Sequence, residues 1–322
     1  MRETPRTVLR SLTVLPMLSM AGGCAPAGEL VIASHVWPGY ELMFLARDQG
    51  WLPAEGLRLL EMPSASASLA ALAAGQAQGA TLTLDEVLLA RSRGLMLSIV
   101  LVCNVSNGAD VVLARQPLAD LKQLGGRRVG VETSALGALM LHKLLKAAGL
   151  PEDAVEVVSV EVSRHLEVWD AREVDVLITY EPVSSQVQAR GGVRVFDSRQ
   201  LPETIFDLLA VEPKAARRHA KALRGLIGGH FRALHHLRHN PLDAAYRMGV
   251  RMGLDGPQAL QAFRFLELPD LSHNRRYLGV QGKMLERAAG ELARLMFEHG
   301  LVEQMPPLDG LLTDAYLGGG AP

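Results

Sequence analysis

Aromatic residues are scarce in this chain, 5% of its 322 residues, so the few that stand at the ends of apolar runs draw attention. Cysteine is scarcer still. There are two, Cys24 and Cys103, and Cys103 sits inside the apolar run LSIVLVCNV, where an inert buried thiol is expected rather than a nucleophile. An excess of one charge is also missing: the formal net charge is -1, and no Lys/Arg stripe interleaves with aromatics, which removes the usual footprint of a nucleic-acid partner. No run is long and apolar enough for a membrane span. The sequence has no G-x-S-x-G elbow, no Walker-type phosphate loop, no H-E-x-x-H and no cysteine pair at metal spacing, so the common signatures of hydrolases, NTPases and zinc sites are absent. It shows no internal repeat, and neither a cofactor nor a bound metal is expected.

Apolar residues at 48% and charged residues at 21% describe a packed globular body. The length suits two lobes better than one core. The first residues, MRETPRTVLRSLTVLPMLSMAGGCAP, read as an export signal: Arg2, Arg6 and Arg10 form a basic start, and LTVLPMLSM is a short apolar stretch. Ala21, Gly22 and Gly23 before Cys24 resemble the lipobox of bacterial lipoproteins, in which that cysteine is acylated. Residues 1–23 are therefore expected to be a lipoprotein signal peptide, and the body from Cys24 to lie outside the cytoplasm, tethered by lipid. With Cys24 acylated, no partner would remain for an intramolecular disulfide.

From Glu29 onward, ELVIAS, LRLLEM, GATLTL, LSIVLVCNV, DVVLA, RRVGVE, AVEVVSVEV, VDVLITY, VRVFDS and IFDLLAV read as strands with amphipathic helices between many of them. This alternation predicts α/β lobes with largely parallel sheets. After about Glu212 the pattern is helical, broken at Pro241, Gly256, Pro269 and Pro306. The turn signal Asn107-Gly108 and the strand IFDLLAV mark two crossings between lobes. The expected division is residues 24–110 with 208–322 as one lobe, including the helical C-terminal region, and 111–207 as the other, with a ligand cleft between them.

Several phrases taken in order resemble one family. HVWPGYELMFLARDQGWL, TLTLDEVLLARSRGL, VSNGADVVLA, DLKQLGGRRVGVETSALGALML, VDVLITYEPVSSQV and NPLDAAYRM are similar, in this order, to the nitrate, sulfonate and thiamine-precursor group of periplasmic solute-binding proteins (NMT1/THI5-like, SsuA/TauA-like). The resemblance implies a type II periplasmic binding protein fold: two α/β lobes joined by a hinge, closing over a small solute in an interlobe cleft and delivering it to an ABC permease and its ATPase. It also implies a monomer. It does not name the solute.

Residues beyond the carboxyl ends of strands face such a cleft. In the loop HVWPGY, Trp37 and Tyr40 flank Gly39 and offer flat faces with polar tips; Trp37 is equally suited to core packing. Thr133 and Ser134 begin a helix whose free N–H groups can hold an anion, although such residues also simply cap helices. Carboxylates gather at strand ends: Asp85, Glu86, Asp110, Glu132, Glu181 and Asp207. Asn107 and Asp110 stand at the first crossing. Asp85 reads more readily as a helix cap, whereas Tyr180 and Glu181, pushed out of VDVLITY before Pro182, are expected to touch ligand. An acidic cleft favours an amine or an aminopyrimidine-like cation, and the helix start favours an anion such as a sulfonate. A zwitterion satisfies both. His235, His236 and His239 fall on the outer face of their helix, opposite the stripe of Ile227, Phe231 and Leu234, which predicts a solvated face rather than a metal site. Two other functions fit the same fold: a receptor module for a membrane sensor, and an enzyme on a binding-protein scaffold.

Overall fold

The computed structural model describes residues 28–132, 134–201, 205–279 and 283–318. The expected signal peptide, Cys24 and Thr133 lie outside these residues. The strands are β1 (Leu30–Ser34), β2 (Leu57–Glu61), β3 (Gly79–Thr83), β4 (Ser98–Ser106), β5 (Val111–Ala114), β6 (Arg128–Val131), β7 (Glu156–Ser159), β8 (Val176–Thr179), β9 (Val193–Asp197), β10 (Phe206–Val211) and β11 (Leu266–Glu267). The α-helices are α1 (Glu41–Asp48), α2 (Ala65–Ala73), α3 (Leu84–Ser92), α4 (Ala135–Ala148), α5 (His165–Asp170), α6 (Val183–Ala189), α7 (Pro213–Arg218), α8 (Ala220–His239), α9 (Pro241–Met252), α10 (Gly256–Ala262), α11 (Leu271–Leu278) and α12 (Lys283–Glu298).

Two sheets form, each the centre of an α/β lobe. One has six strands in the order β11-β4-β10-β3-β1-β2, the other five in the order β7-β6-β8-β5-β9. Every residue of β4 and of β10 is buried, as continuous apolar strands in the middle of a covered sheet should be. The sheets are mixed rather than largely parallel. β1 runs parallel to β2 and β3, but β10 is antiparallel to both β3 and β4; in the second sheet β5 is antiparallel to β8 and β9. β5 and β10, which run against both of their neighbours, are the strands by which the chain enters the second lobe and returns to the first. β10 belongs to the first sheet from Phe206 onward, so the expected boundary at residue 208 falls inside a strand and Asp207 goes with the first lobe.

The two crossings lie side by side. Ser106 Oγ and Ser198 Oγ are 2.7 Å apart, the Gly108 N–H donates to Ser198 Oγ at 2.7 Å, and the Ser198 N–H donates to the Asp110 carbonyl at 2.9 Å. Gly108 has φ 104, which suits glycine alone. On the cleft side, the lobes meet through α4: its Ala135 and Leu139 pack into the apolar core of the first lobe, while Leu136, Met140, Leu144 and Leu145 pack into that of the second. Ser134 caps α4 and Gly149 ends it in the left-handed conformation.

The helical region departs from expectation in two ways. The two-residue β11 adds to the edge of the first sheet beside β4, and the described residues beyond Glu298 are not helical but return to the core, where Leu312 bridges Ile99. Arg91, 1% exposed, holds that return: its guanidinium donates to the carbonyls of Pro307 at 2.7 Å and Asp309 at 2.6 Å, and also to that of Leu97. A buried arginine needs such a full set of acceptors. α12 itself follows the amphipathic rule, burying Leu285, Ala289, Leu292, Ala293 and Met296 as one stripe. Gly256 is the first residue of α10 rather than a breaker, with Asp255 as its cap. Among the described residues no helix is long and apolar enough to cross a membrane.

Candidate functional site: an acidic cavity between the lobes

Two small adjoining chambers, of about 20 and 10 Å³, lie between the lobes and share Asp110, Glu132, Ser134, Leu136 and Tyr180. The chamber nearer the second lobe adds the apolar wall of Val131, Met140, Val162 and Ile178, with Thr179 and His165. That nearer the first lobe adds His35, Trp37, Thr83, Glu86 and Asp207. Each acidic group arrives from the end of a strand: Asp110 from the β4–β5 crossing, Glu132 just past β6, Glu86 in the first turn after β3, and Asp207 in β10. Among the described residues, no lysine or arginine lines either chamber.

The carboxylates are short of partners. Asp110 is 3% exposed and its Oδ2 has none. Glu132 Oε1 accepts from Ser66 Oγ at 3.4 Å, a bond that spans the lobes. Asp207 is better supplied, accepting from Tyr40 Oη at 2.8 Å and Asn104 Nδ2 at 2.6 Å. Behind the cavity wall Asp85, fully buried, has no hydrogen-bond partner of good geometry on either oxygen. Burial therefore pushes Asp110 up to about 6 and Asp85 up to about 7, raises Glu132, and lifts Glu86 and Asp207 well above the carboxylate range, with the Asp85 charge adding to the shift at Glu86 and the Asp110 charge to that at Asp207. The histidines supply no positive charge. Burial, helped by Arg251, takes His35 down to about 3, and burial takes His165 down to about 4. The His165 ring lies 3.2 Å from the Val160 carbonyl and 3.0 Å from Thr179 Oγ1, which assigns the proton to Nε2 and makes Nδ1 the acceptor.

The cavity is thus a desolvated acidic site, in which each carboxylate is costly to charge. Neutralising the buried carboxyl that meets no ligand isolates that cost. Asp85→Asn is expected to stabilise the empty protein above pH 7 by on the order of 1–4 kcal/mol, measured by denaturant unfolding. Because the folded-state pKa of Asp85 is raised from 3.8 to about 7, its cost is complete above pH 7 and disappears as pH falls toward 4. The gain from the substitution should disappear over the same range.

The structure sorts the candidate residues. Trp37, Asp110, Ser134, Tyr180 and Asp207 line the cavity. Trp37 also does the core's work, with its ring edge-on to Tyr180 at 5.4 Å between centroids and its Nε1 donating to Asn104 Oδ1 at 3.0 Å. Ser134 both caps α4, accepting from the Gly137 N–H at 3.1 Å, and lines the cavity. Tyr40 does not line the cavity: it is fully buried and its hydroxyl donates to Asp207. Gly39 is needed for close approach, since a Cβ there would fall 1.7 Å from Asn104 Oδ1. Asp85 neither caps α3 nor lines the cavity; the Thr83 N–H is held by Glu86 Oε2 at 2.9 Å instead. Asn107 turns to Glu267 at 3.0 Å, away from the cavity.

Glu181 is the main correction. Its carboxylate accepts from Ser184 Oγ, from Ser185 Oγ at 2.9 Å and from the Ser185 N–H at 3.3 Å, so it is spent on the first turn of α6 and borders a separate groove with Arg194, Arg199 and Phe265. Pro182 stands at the N-cap, one place before the first helical residue. Expectation missed His35, which directly follows β1, and His165, which opens α5 and lies beyond the reach of any strand-end rule. Cys103 is fully buried and burial raises its thiol well above the usual range, as an inert core residue requires. His236 does find a carboxylate, Asp243 at 2.7 Å from the next helix, while His235 and His239 are exposed.

A family model described as "NMT1/THI5 like" matches residues 37–244, more than half of the chain. No curated protein matches in sequence. Among solved structures, the periplasmic aliphatic sulphonate binding protein SsuA from Escherichia coli is similar at TM-score 0.72 and 19% identity, covering 89% of this chain and 92% of its own. The alkanesulfonate-binding protein SsuA from Xanthomonas axonopodis pv. citri, bound to MOPS, is similar at TM-score 0.74 and 17% identity, covering 87% and 96%. The desulfurization enzyme DszB shares the fold as well, at TM-score 0.63 and 16% identity over 89% and 97%. The fold is that of periplasmic binding proteins, and it carries both binding proteins and an enzyme, so function must be argued from the cavity.

Proposed function

Because the chain belongs to the NMT1/THI5-like family, we propose that it is the extracytoplasmic solute-binding lipoprotein of an ABC importer, selecting a small cationic solute. On this reading residues 1–23 direct export, Cys24 carries the lipid, the lobes close as a monomer about the paired crossings, and the loaded form docks on a permease with its ATPase. The observation that carries the solute class is the set of buried carboxylates, Glu86, Asp110, Glu132 and Asp207, facing one cavity without a lysine or arginine. A sulfonate would add a negative charge to that set at a large desolvation cost. An amine or aminopyrimidine answers it, and the apolar wall with Trp37 and Tyr180 suits a planar body. A zwitterion remains compatible, with its anionic end at Ser134 and the start of α4. Solute bridging the lobes would bias the hinge toward the closed form by its differential affinity for that form.

The proton content of the cavity provides a test. Carboxyls that line the cavity with raised pKa must lose protons when a cation enters, so affinity should rise with pH through the range set by about 6 for Asp110, by roughly tenfold per unit for each proton displaced. Calorimetry with a permanently charged ligand, such as an N-methylated aminopyrimidine, removes the titration of the ligand itself. Tighter binding from pH 5 to pH 7.5, with proton release, is the expected result. A flat profile, or tighter binding in acid, would contradict the proposal.

A further inference from the structure

Away from the cavity, three metal-ligating side chains meet across the interlobe boundary. His142 lies in the middle of α4, on the second lobe, and Glu152 opens the short turn that follows α4 and Pro151. His299 stands immediately beyond the end of α12, on the first lobe. Each residue presents one ligand atom, and these atoms all lie within 4.8 Å of one another. The two imidazole rings are 4.0 Å apart between centroids at an interplanar angle of 44°, and His142 Nδ1 is 3.3 Å from Glu152 Oε1. His142 Nε2 is buried without a hydrogen-bond partner.

We propose that His142, Glu152 and His299 form a binding site for a divalent transition metal of the zinc class, and that the metal clips the two lobes together. Two imidazoles and one carboxylate are a zinc donor set, with the fourth position left to water. Metal–ligand bonds of about 2.1 Å place tetrahedral donors roughly 3.4 Å apart. Glu152 and His299 are exposed, so both can rotate to close the present spacing while the less exposed His142 stays fixed. The 3.3 Å between His142 Nδ1 and Glu152 Oε1 already matches that donor spacing, which makes Nδ1 the ligating nitrogen. The exposed carboxylate also leaves the site open to loading from solvent.

The position gives the site a consequence for binding. His299 and the His142–Glu152 pair sit on different lobes, so the full set of ligands exists only when the lobes are together. Metal would therefore favour the closed form, and by linkage would tighten solute binding while solute tightened metal binding. Only this second half rests on the solute-binding reading; the metal site stands or falls without any solute.

The test uses the untagged full chain, freed of metal by chelation and titrated with Co2+ in the absence of solute. Expected is a visible absorption band of low-symmetry Co2+ that saturates at one ion per chain and is bleached by Zn2+. His299→Ala, a surface change with no threat to the fold, and His142→Ala should each weaken Co2+ binding by more than roughly 100-fold. The double variant His235→Ala, His239→Ala should leave it unchanged, which separates this site from the exposed histidines of α8. Absence of a one-to-one band, or a band that survives His299→Ala, overturns the site. For the clip, solution scattering should show Zn2+ compacting the wild type and not His299→Ala. Metal bound without compaction overturns the coupling and leaves the site.

Discussion

Asp110→Asn is expected to weaken binding of a cationic solute by roughly 10²- to 10³-fold, because removing one partner of a buried charge pair costs about 3–5 kcal/mol. Asp110 lines both chambers and has an oxygen with no protein partner, so the ligand would be its principal counter-charge. Glu132→Gln should do nearly as much damage, since the hydrogen bond that carboxylate accepts from Ser66 is long, at 3.4 Å. Glu181→Gln is the control. Its carboxylate is held by Ser184 and Ser185 outside the cavity, so affinity should stay within a factor of a few. Calorimetric titration of the three variants with one aminopyrimidine or amine probe checks the set. A loss at Glu181 with none at Asp110 would reverse the assignment of the site.

The largest effect on stability is expected at Gly137→Ala. A Cβ there would fall 2.0 Å from the Glu132 carbonyl oxygen and 2.9 Å from Val131 Cγ2, and backbone cannot move aside as a side-chain tip can. The start of α4 would have to shift away from β6, at a cost of roughly 3 kcal/mol or more. The same shift would displace Glu132 and Ser134, so solute affinity should fall along with stability. Gly228→Ala makes the comparison clean. Position 228 lies in α8 with nothing within 4 Å of the added methyl, and alanine there should stabilise by roughly 0.5–1 kcal/mol, as expected for a helix interior. Denaturant unfolding of both variants should give opposite signs; a stable Gly137→Ala would mean that the β6–α4 junction is looser than its contacts imply.

The strands were legible because most are short apolar runs, the central β4 and β10 being buried throughout, and local composition reports that directly. Strand direction was not. Whether β5 runs with or against β8 depends on how the chain enters the second lobe, which no window of sequence contains. β11 has two residues, too few for any period to show. At the site, the strand-end rule found Asp110, Tyr180 and Asp207, and drew attention to Glu132, because all depend on local order along one strand. It failed where a side chain has a competing partner. Tyr40 looked exposed in its loop, but its hydroxyl meets Asp207, 167 residues away. Glu181 could have been read better from local sequence alone: serines three and four residues later, in EPVSS, are what a carboxylate at a helix start can hold. The cluster of His142, Glu152 and His299 spans two lobes, and nothing in the local sequence of α4 announces it.

Charge selection at the cavity is the central claim, and a competition measured on a single preparation tests it most directly. The full chain, at pH 7.5 and low salt, would be titrated by thermal shift with matched pairs of solutes: planar amines and aminopyrimidines against alkanesulfonates of similar size. A ligand at 100 times its dissociation constant adds about 2.7 kcal/mol of stability, enough to move the melting temperature by a few degrees. The account predicts shifts from cations or zwitterions, no shift from sulfonates, and loss of the cation shift in Asp110→Asn. A shift from sulfonates alone, unaffected by Asp110→Asn, would contradict it and make the start of α4 at Ser134 the anchor.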